Sequence, residues 1–378
     1  MVPGRPPPPG AFARGSSGPL LGASGRPGGR PSGHTDSPPW TASLISSSSP
    51  PRRRAGEHGG EAGSAMSKVV VFHEPGGPEK LAVVDTDAPD PGPGEVLIRV
   101  MAAGVQPFDI AVVEGWLPLA ADGPDYPRTP GNEYAGVIEA VGAGVSGFAP
   151  GDEVLGFNVL GSYREHVSMP ADQVTAKPPS MPWEVAGGFT APAQTAHIAL
   201  QDMGLSEGET LLVHGAAGAV GTIAVQLARH RGATVIGAAR EARHAYLRSL
   251  GAIPVAYGEG FTERVRALAP GGTVHGAVDG VGGQALDATL ELVAVHSRIF
   301  TLVDHAKTSD LGIRTVPPKR SAARLAELAD LYAQGRLHVH IHAEFPLEKA
   351  ADAHRFHKRG GVQGKIVLTT DALREARA

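Results

Sequence analysis

Apolar positions between Lys68 and Lys177 come in short bursts. VVVFHE, LAVVDT, EVLIRVMAAGV, AGVIEAVG and DEVLGF are continuous or alternating runs, broken by Gly/Pro clusters such as PDPGPGE and GFAPGDE. Period-two alternation with frequent turn residues predicts short strands in a β-rich, partly open barrel. From Trp183 onward the period changes. Strand-like runs (TLLVH, GATVIGAA, GAIPVAYG, HGAVDGVG, SRIFTLV) alternate with helical stretches such as EARHAYLRSLGA, where Gly251 stands as a C′ cap. Strand–helix alternation predicts a parallel sheet covered on both faces. A polar helix near Ser321–Gln334 follows, then HVHIHAEF, the helix AADAHRFHKR and GKIVLTT. These last strands are expected to rejoin the first lobe. The predicted fold class is therefore α/β, with a β-rich lobe and a doubly wound parallel-sheet lobe. The predicted boundaries are 66–187 with 341–378 for the first lobe and 188–340 for the second.

One stretch of the second lobe carries chemistry. Thr210–Val213 is a buried-strand run; Val220, Ile223, Ala224, Leu227 and Ala228 recur at helical spacing; Thr234–Gly237 is a second strand. The turn between strand and helix has the pattern A-x-G-x-x-G at Ala216, Gly218 and Gly221. Gly218 lets backbone approach a pyrophosphate, and Gly221 lets helix pack on strand. The helix mouth at Gly218, Ala219, Val220 and Gly221 offers unpaired N–H groups and a partial positive charge. This predicts a dinucleotide site. At the end of the second strand, where a carboxylate would bond a ribose 2′-hydroxyl, the chain has Arg240, with Arg243 and His244 beyond. Guanidinium groups pair with a 2′-phosphate that a carboxylate would repel. The expected cofactor is NADP(H).

Composition narrows the classes. The net charge of −4 offers no broad basic surface for nucleic acid, and no apolar run approaches the length of a membrane span. Cysteine is absent, which removes disulfides, thiol nucleophiles and thiolate zinc sites and fits a reducing cytoplasm. Residues 1–65 hold twelve prolines, thirteen glycines and runs PPPP, SSSS and RRR. Such a segment cannot bury enough apolar surface to offset chain entropy, so it is expected to be a disordered tail. Its seven Arg and three acids give +4, leaving −4 − 4 = −8 on the rest. Met66 opens MSKVVVFHEPGGPEK like a fresh N-terminus, so residues 1–65 are read as a tail that translation from Met66 would omit.

The stretches AAGVQPFDIAVVEG, TPGNEYAGVIEAVGAGVSGFAPGDEVLGF, TAHIAL, VHGAAGAVGTIAVQLARHRGATVIGAA, and FPLEKAADAH followed by GKIVL together resemble the zinc-independent quinone oxidoreductase branch of the medium-chain dehydrogenase/reductase superfamily. The resemblance implies a GroES-like barrel, an inserted Rossmann domain, a cleft between them and a homodimer through the Rossmann sheet. Zinc-dependent cousins carry Cys and His where this chain has Gln106 and Asn132, so no metal site is expected. What remains suits hydride addition to a quinone or an α,β-unsaturated carbonyl. The resemblance also places Thr195 and Leu302 near the nicotinamide, Gln106 on the pocket loop, orienting the carboxamide or substrate oxygen, and Tyr257 beside the adenosine phosphate. Water is the expected proton source. At Ala111 and Val113 relatives carry polar residues, which suggests an apolar pocket wall.

Other residues keep two readings. Asp109 is either catalytic or a turn cap that braces the barrel. Lys365 either reaches the cofactor phosphate or marks the start of a strand. His338, His340 and His342 read as the polar face of a strand edge rather than a metal site. His354 and His357 read as surface residues. The function is expected to be NADPH-dependent reduction of a small-molecule acceptor. The alternative is an NADP(H)-binding redox-sensing or partner-binding module with little turnover.

Overall fold

The computed structural model describes residues 66–116 and 126–378. The expectations for the tail and for a start at Met66 concern residues 1–65 and lie outside the described residues. Six parallel strands form one sheet, in the order Ile253–Val255, Thr234–Ala238, Thr210–His214, Gly276–Asp279, Ile299–Thr301 and Arg314–Thr315. The order reverses between Thr210–His214 and Gly276–Asp279, as in a doubly wound sheet. Strands Thr210–His214 and Gly276–Asp279 are buried along their whole length, which is why they read as unbroken apolar runs.

A second sheet has seven strands: six in the order Ile341–Pro346, Lys365–Thr369, Glu95–Val105, Glu133–Val141, Glu153–Phe157 and Val174–Ala176, and a seventh, His166–Pro170, that pairs off this path onto Glu95–Val105. It is the GroES-like β lobe. The C-terminal strands do return to it: Lys365–Thr369 runs antiparallel to Glu95–Val105. Met66–Val71 and Ala82–Asp87 make a separate two-stranded ribbon.

One hydrophobic cluster spans both lobes. Ala135 and Leu155 of the β lobe pack in the same core as Phe189, Ala193, Val213 and Ile223. Helix Thr190–Met203 lies at this junction. Its small side chains (Ala191, Ala193, Ala196, Ala199) allow close packing, and it stops at Gly204, whose φ of 67° ends the helix in the left-handed region. HVHIH is not wholly strand: the strand begins at Ile341, and His338 and His340 precede it, exposed.

Candidate active site

The glycine turn forms as its spacing predicts. Strand Thr210–His214 ends at Gly215 (φ 66°), the Gly218 amide donates to the Gly215 carbonyl at 2.9 Å, and helix Ala219–His230 starts with no side-chain cap. A β-carbon on Gly221 would lie 2.4 Å from the Gly215 oxygen, so this position needs a bare backbone. Gly218, Ala219 and Val220 are only half-buried. The turn is therefore an accessible row of helix-mouth amides, a cradle that fits a pyrophosphate.

The C-terminal loop closes one side of this groove. The Gly364 amide donates to the Ala217 carbonyl at 2.8 Å, and Gly218 and Gly364 form an isolated bridge. Arg243 holds the loop, donating to Gln363 Oε1 at 2.9 Å and to the Gly361 carbonyl at 2.6 Å. Arg240 is exposed beside Gly361, and no described residue bonds its guanidinium. The two arginines thus differ: Arg240 is free to meet a ligand, whereas Arg243 is a strut. Tyr257 stands at the same turn. Its hydroxyl accepts from the Gly215 amide at 2.9 Å and donates to the Ala238 carbonyl at 3.1 Å. Burial pushes this phenol up to about 12.

Across the sheet's carboxyl edge, Asp279 is fully buried and braces the loops. Its Oδ1 accepts from the Val281 and Gly282 amides at 3.0 and 2.9 Å, and its Oδ2 accepts from the Thr301 hydroxyl at 2.9 Å. Leu302, one residue past the strand, donates its amide to the Asp279 carbonyl at 2.8 Å. Val281 and Val303 flank it, 46% and 48% exposed. An aromatic corner of the β lobe reaches the loop that follows Val303. Trp116 sits edge-on to Phe108 and stacks on His305 at 5.7 Å and 19°. The acceptor side of the cleft therefore has an apolar rim. Thr195 is half-buried in the second turn of helix Thr190–Met203, among fully buried neighbours, and its hydroxyl bonds no described residue.

Gln106 precedes helix Pro107–Val113 and closes a capping box with Asp109, whose Oδ2 accepts the Gln106 amide at 3.0 Å. The Gln106 side-chain Nε2 donates to Asn132 Oδ1. The two positions that bear zinc ligands in the cousins thus hold a hydrogen-bonded amide pair. Neutral amides that satisfy each other are a poor donor set for zinc, and among the described residues no group of three or more His, Asp or Glu is placed to hold a metal.

Asp109 lies beneath this pair with no exposure. Its Oδ2 also accepts from the Tyr163 hydroxyl at 3.1 Å, and that hydroxyl lies 3.3 Å from His354 Nε2. Burial raises the Asp109 carboxyl to about 7, a nearby Glu133 adds to the rise, and Lys365 acts against it. Burial lowers the His354 imidazole to about 3.

Two expectations change, for His354 and Val113, and the two readings of Lys365 are separated. His354 is not a surface residue: it is 0% exposed, because Tyr163 supplies a partner from a distant segment. Lys365 opens strand Lys365–Thr369, as its second reading had it, and its side chain is buried in an ion pair. It is 2% exposed and its Nζ lies 2.6 Å from Glu133, which is itself fully buried and accepts the Ala191 amide at 2.6 Å through Oε2. Val113 is not on the pocket wall; it packs with Phe72 and Val112. The sequence held one sign of the Glu133–Lys365 pair. A β-carbon on Gly104 would lie 2.0 Å from Glu133 Oε1 and 2.8 Å from Lys365 Cε, so this glycine makes room for the pair.

A Rossmann sheet with an open glycine turn, joined to a GroES-like lobe across an apolar cleft, defines a nicotinamide-dependent oxidoreductase. The description "Alcohol dehydrogenase GroES-like domain" matches residues 92–179, and "Zinc-binding dehydrogenase" matches residues 250–368. The human synaptic vesicle membrane protein VAT-1 homolog is 30% identical over 350 residues, covering 82% of this chain and 88% of that protein. The quinone oxidoreductase from Coxiella burnetii superposes with a TM-score of 0.72 at 25% identity, over 81% of this chain and 99% of its own. The Escherichia coli quinone oxidoreductase, solved in complex with NADPH, gives 0.71 at 26% identity, over 80% and 99%. The chain belongs to the medium-chain dehydrogenase/reductase superfamily, in its quinone oxidoreductase/VAT-1 branch.

Proposed function

We propose that the protein is an NADPH-dependent reductase of quinones or other α,β-unsaturated carbonyls that works without zinc. The observation that carries this reading is the Gln106–Asn132 amide pair. It stands where a metal would otherwise be held, at the head of a helix whose Phe108 belongs to an apolar rim. An amide pair cannot supply the Lewis acid that alcohol oxidation needs near neutral pH. It can orient a carbonyl that is already electrophilic.

The residues of the groove fit the cofactor as follows. Gly218, Ala219, Val220 and Gly221 present the helix mouth to the pyrophosphate. Arg240 takes the 2′-phosphate, and Arg243 acts through the loop it holds. Tyr257 flanks the adenosine side; Thr195 and the backbone at Leu302 bound the nicotinamide side. Bound NADPH supplies hydride. The chain's own task is to hold donor and acceptor close and to exclude water with Trp116, Phe108, Val281 and Val303. Asp109 sets the orientation of Gln106 from below. Lys365 has no part in cofactor binding in this reading. The division into 66–187 with 341–378 and 188–340, and a homodimer through the Rossmann sheet, belong to the same proposal. Among the described residues no helix is long and apolar enough to cross a membrane, and a cytoplasmic reductase is the setting we infer.

The test is NADPH oxidation followed by absorbance, against quinones and 2-alkenals, with NADH as control. Turnover at least about tenfold faster with NADPH is expected. Arg240→Gln should lose most of that preference, since a charge-assisted phosphate contact contributes roughly 1.5–3 kcal/mol. Equal rates with both cofactors would remove the 2′-phosphate argument. Tight NADPH binding without turnover on any acceptor would support a dinucleotide-binding module instead.

A further inference from the structure

Arg320 belongs to no motif and forms no ion pair with a described residue. It lies in the extended segment after strand Arg314–Thr315 and directly before Ser321, which caps helix Ala322–Ala333. Its neighbour Lys319 is drawn outward to Asp202, at 2.9 Å. The Ser321 amide on its other side donates to Gln194 Oε1 at 2.8 Å, tying this segment to the inner face of helix Thr190–Met203. Arg320 itself is half-buried, and no described residue bonds its guanidinium or lies within ion-pair distance of it. The two carboxylates that act on it are Glu133 and Asp109, both from the β lobe, while burial disfavours its charge. The Ser321–Gln194 bond sets the Arg320 segment against helix Thr190–Met203, which packs at the junction of the two lobes.

Its surroundings hold further unmet polar atoms. Gln194 and Thr190 are fully buried, and Gln194 Nε2 and Thr190 Oγ1 have no partner. Both lie near the start of helix Thr190–Met203, whose Gln194 Oε1 accepts the Ser321 amide and whose Ala191 amide donates to Glu133. Counter-charge is scarce here. Glu133 is already paired with Lys365, and burial disfavours the charged form of the Asp109 carboxyl. Lys365 takes up Glu133, and Arg320 forms no ion pair with a described residue.

We propose that Arg320 supplies the fixed positive charge for the oxyanion that develops on the acceptor during reduction. The inference rests on the reductase reading above. Hydride addition to the β-carbon of an enone shifts the π electrons onto the carbonyl oxygen and gives an enolate; addition to a quinone gives a hydroquinone monoanion. A proton from water then completes the product. A preorganised cation in a partly dry cleft stabilises that anion more than it stabilises the neutral acceptor, which is the condition for lowering the barrier.

The test uses the full chain and begins with a stable anion. 4-Nitrophenolate resembles the product oxyanion, and neutral 4-nitroanisole controls for ring binding. The wild-type protein should bind the phenolate at least about tenfold more tightly than the anisole, and Arg320→Gln should abolish that difference. Equal binding by the wild type would overturn the proposal, with or without a foldable variant and whether or not any acceptor is turned over. Where the wild type turns over, Arg320→Gln should keep its NADPH affinity, read by nicotinamide fluorescence, and its Tm. Its kcat should fall by about 10²–10³, the usual cost of removing one oxyanion donor. Arg320→Ala should regain part of this rate in added guanidinium, and Arg320→Lys should fall between. An Arg320→Gln rate within threefold of wild type would overturn the assignment while leaving the reductase reading in place. Absence of wild-type turnover, with the phenolate preference intact, would sink the reductase reading and keep Arg320 as an anion site.

Discussion

Gly218 and Gly221 stand in the same turn, yet a methyl added to each meets different surroundings. At Gly221 it would lie 2.4 Å from the Gly215 oxygen and 2.7 Å from Ala216 Cα, both backbone. At Gly218 its nearest neighbour is the Gly215 oxygen at 3.2 Å, and φ is −79°, which alanine adopts freely. Gly221→Ala should therefore destabilise the fold by about 1–3 kcal/mol, the range for overpacking. Gly218→Ala, with a single milder contact, should cost less stability than Gly221→Ala and still weaken NADPH at least about tenfold, because its methyl intrudes where the phosphates approach. Urea titration and nicotinamide fluorescence on both variants separate the effects; equal stability losses would show that the roles are not divided this way. These glycines were legible because the constraint is local: spacing and flanking strands state it. Lys365 was not, because its partner Glu133 sits on a different strand and only the glycine at 104 hints that a bulky pair lies against it.

At the scale of elements, helix Ala350–Lys358 docks on the β lobe through more than its apolar side. His354 meets Tyr163, which bonds Asp109 at the start of helix Pro107–Val113. The sequence showed a polar helix with two histidines three apart, so both read as solvated; nothing local announced a tyrosine from a distant loop. The strands were easier. Glu95–Val105 matches its apolar run end to end, whereas Arg314–Thr315, two residues long, carries no pattern to find. The buried network makes stability depend on pH with opposite signs. His354 is held down at about 3, so below the usual imidazole value near 6.5 the unfolded chain binds the extra proton and stability falls. Asp109 is raised to about 7, so the folded state holds the extra proton from about pH 4 to 7, and its contribution grows as pH falls through that window. Each effect amounts to about 2 kcal/mol between pH 7 and 5. His354→Gln should lower stability at pH 8 but lose about 2 kcal/mol less than wild type on going from pH 7 to 5. Asp109→Asn should lose about 2 kcal/mol more. Chemical denaturation at the two pH values checks this, and curves parallel to wild type for both variants would show that neither group is perturbed in the folded chain.

At the scale of the whole molecule, the Rossmann sheet leaves one edge unspent. Among the described residues its last strand, Arg314–Thr315, pairs only with Ile299–Thr301, in parallel, which leaves its outer side without a neighbouring strand there. Open edges of this kind are short, charged or covered in monomers, because they otherwise template pairing with another chain. Here Arg314 does not guard the edge: its guanidinium lies over the Phe300 ring at 4.8 Å and donates to the Asp202 carbonyl at 3.0 Å. A second copy related by a two-fold axis could add the same strand antiparallel and extend the sheet across the interface, a self-complementary contact that closes at two subunits. The cleft lies at the carboxyl ends of the strands rather than at this edge, so each subunit keeps a complete site. Sedimentation at micromolar concentration should give twice the 38.9 kDa chain mass. Thr315→Pro removes an edge amide and should return the protein to a monomer while far-ultraviolet circular dichroism and NADPH affinity stay unchanged. A wild-type monomer over the whole concentration range would show that this edge is protected within the chain, and the dimer would have to be given up. A Thr315→Pro variant that remains dimeric would move the interface to another face of the same lobe.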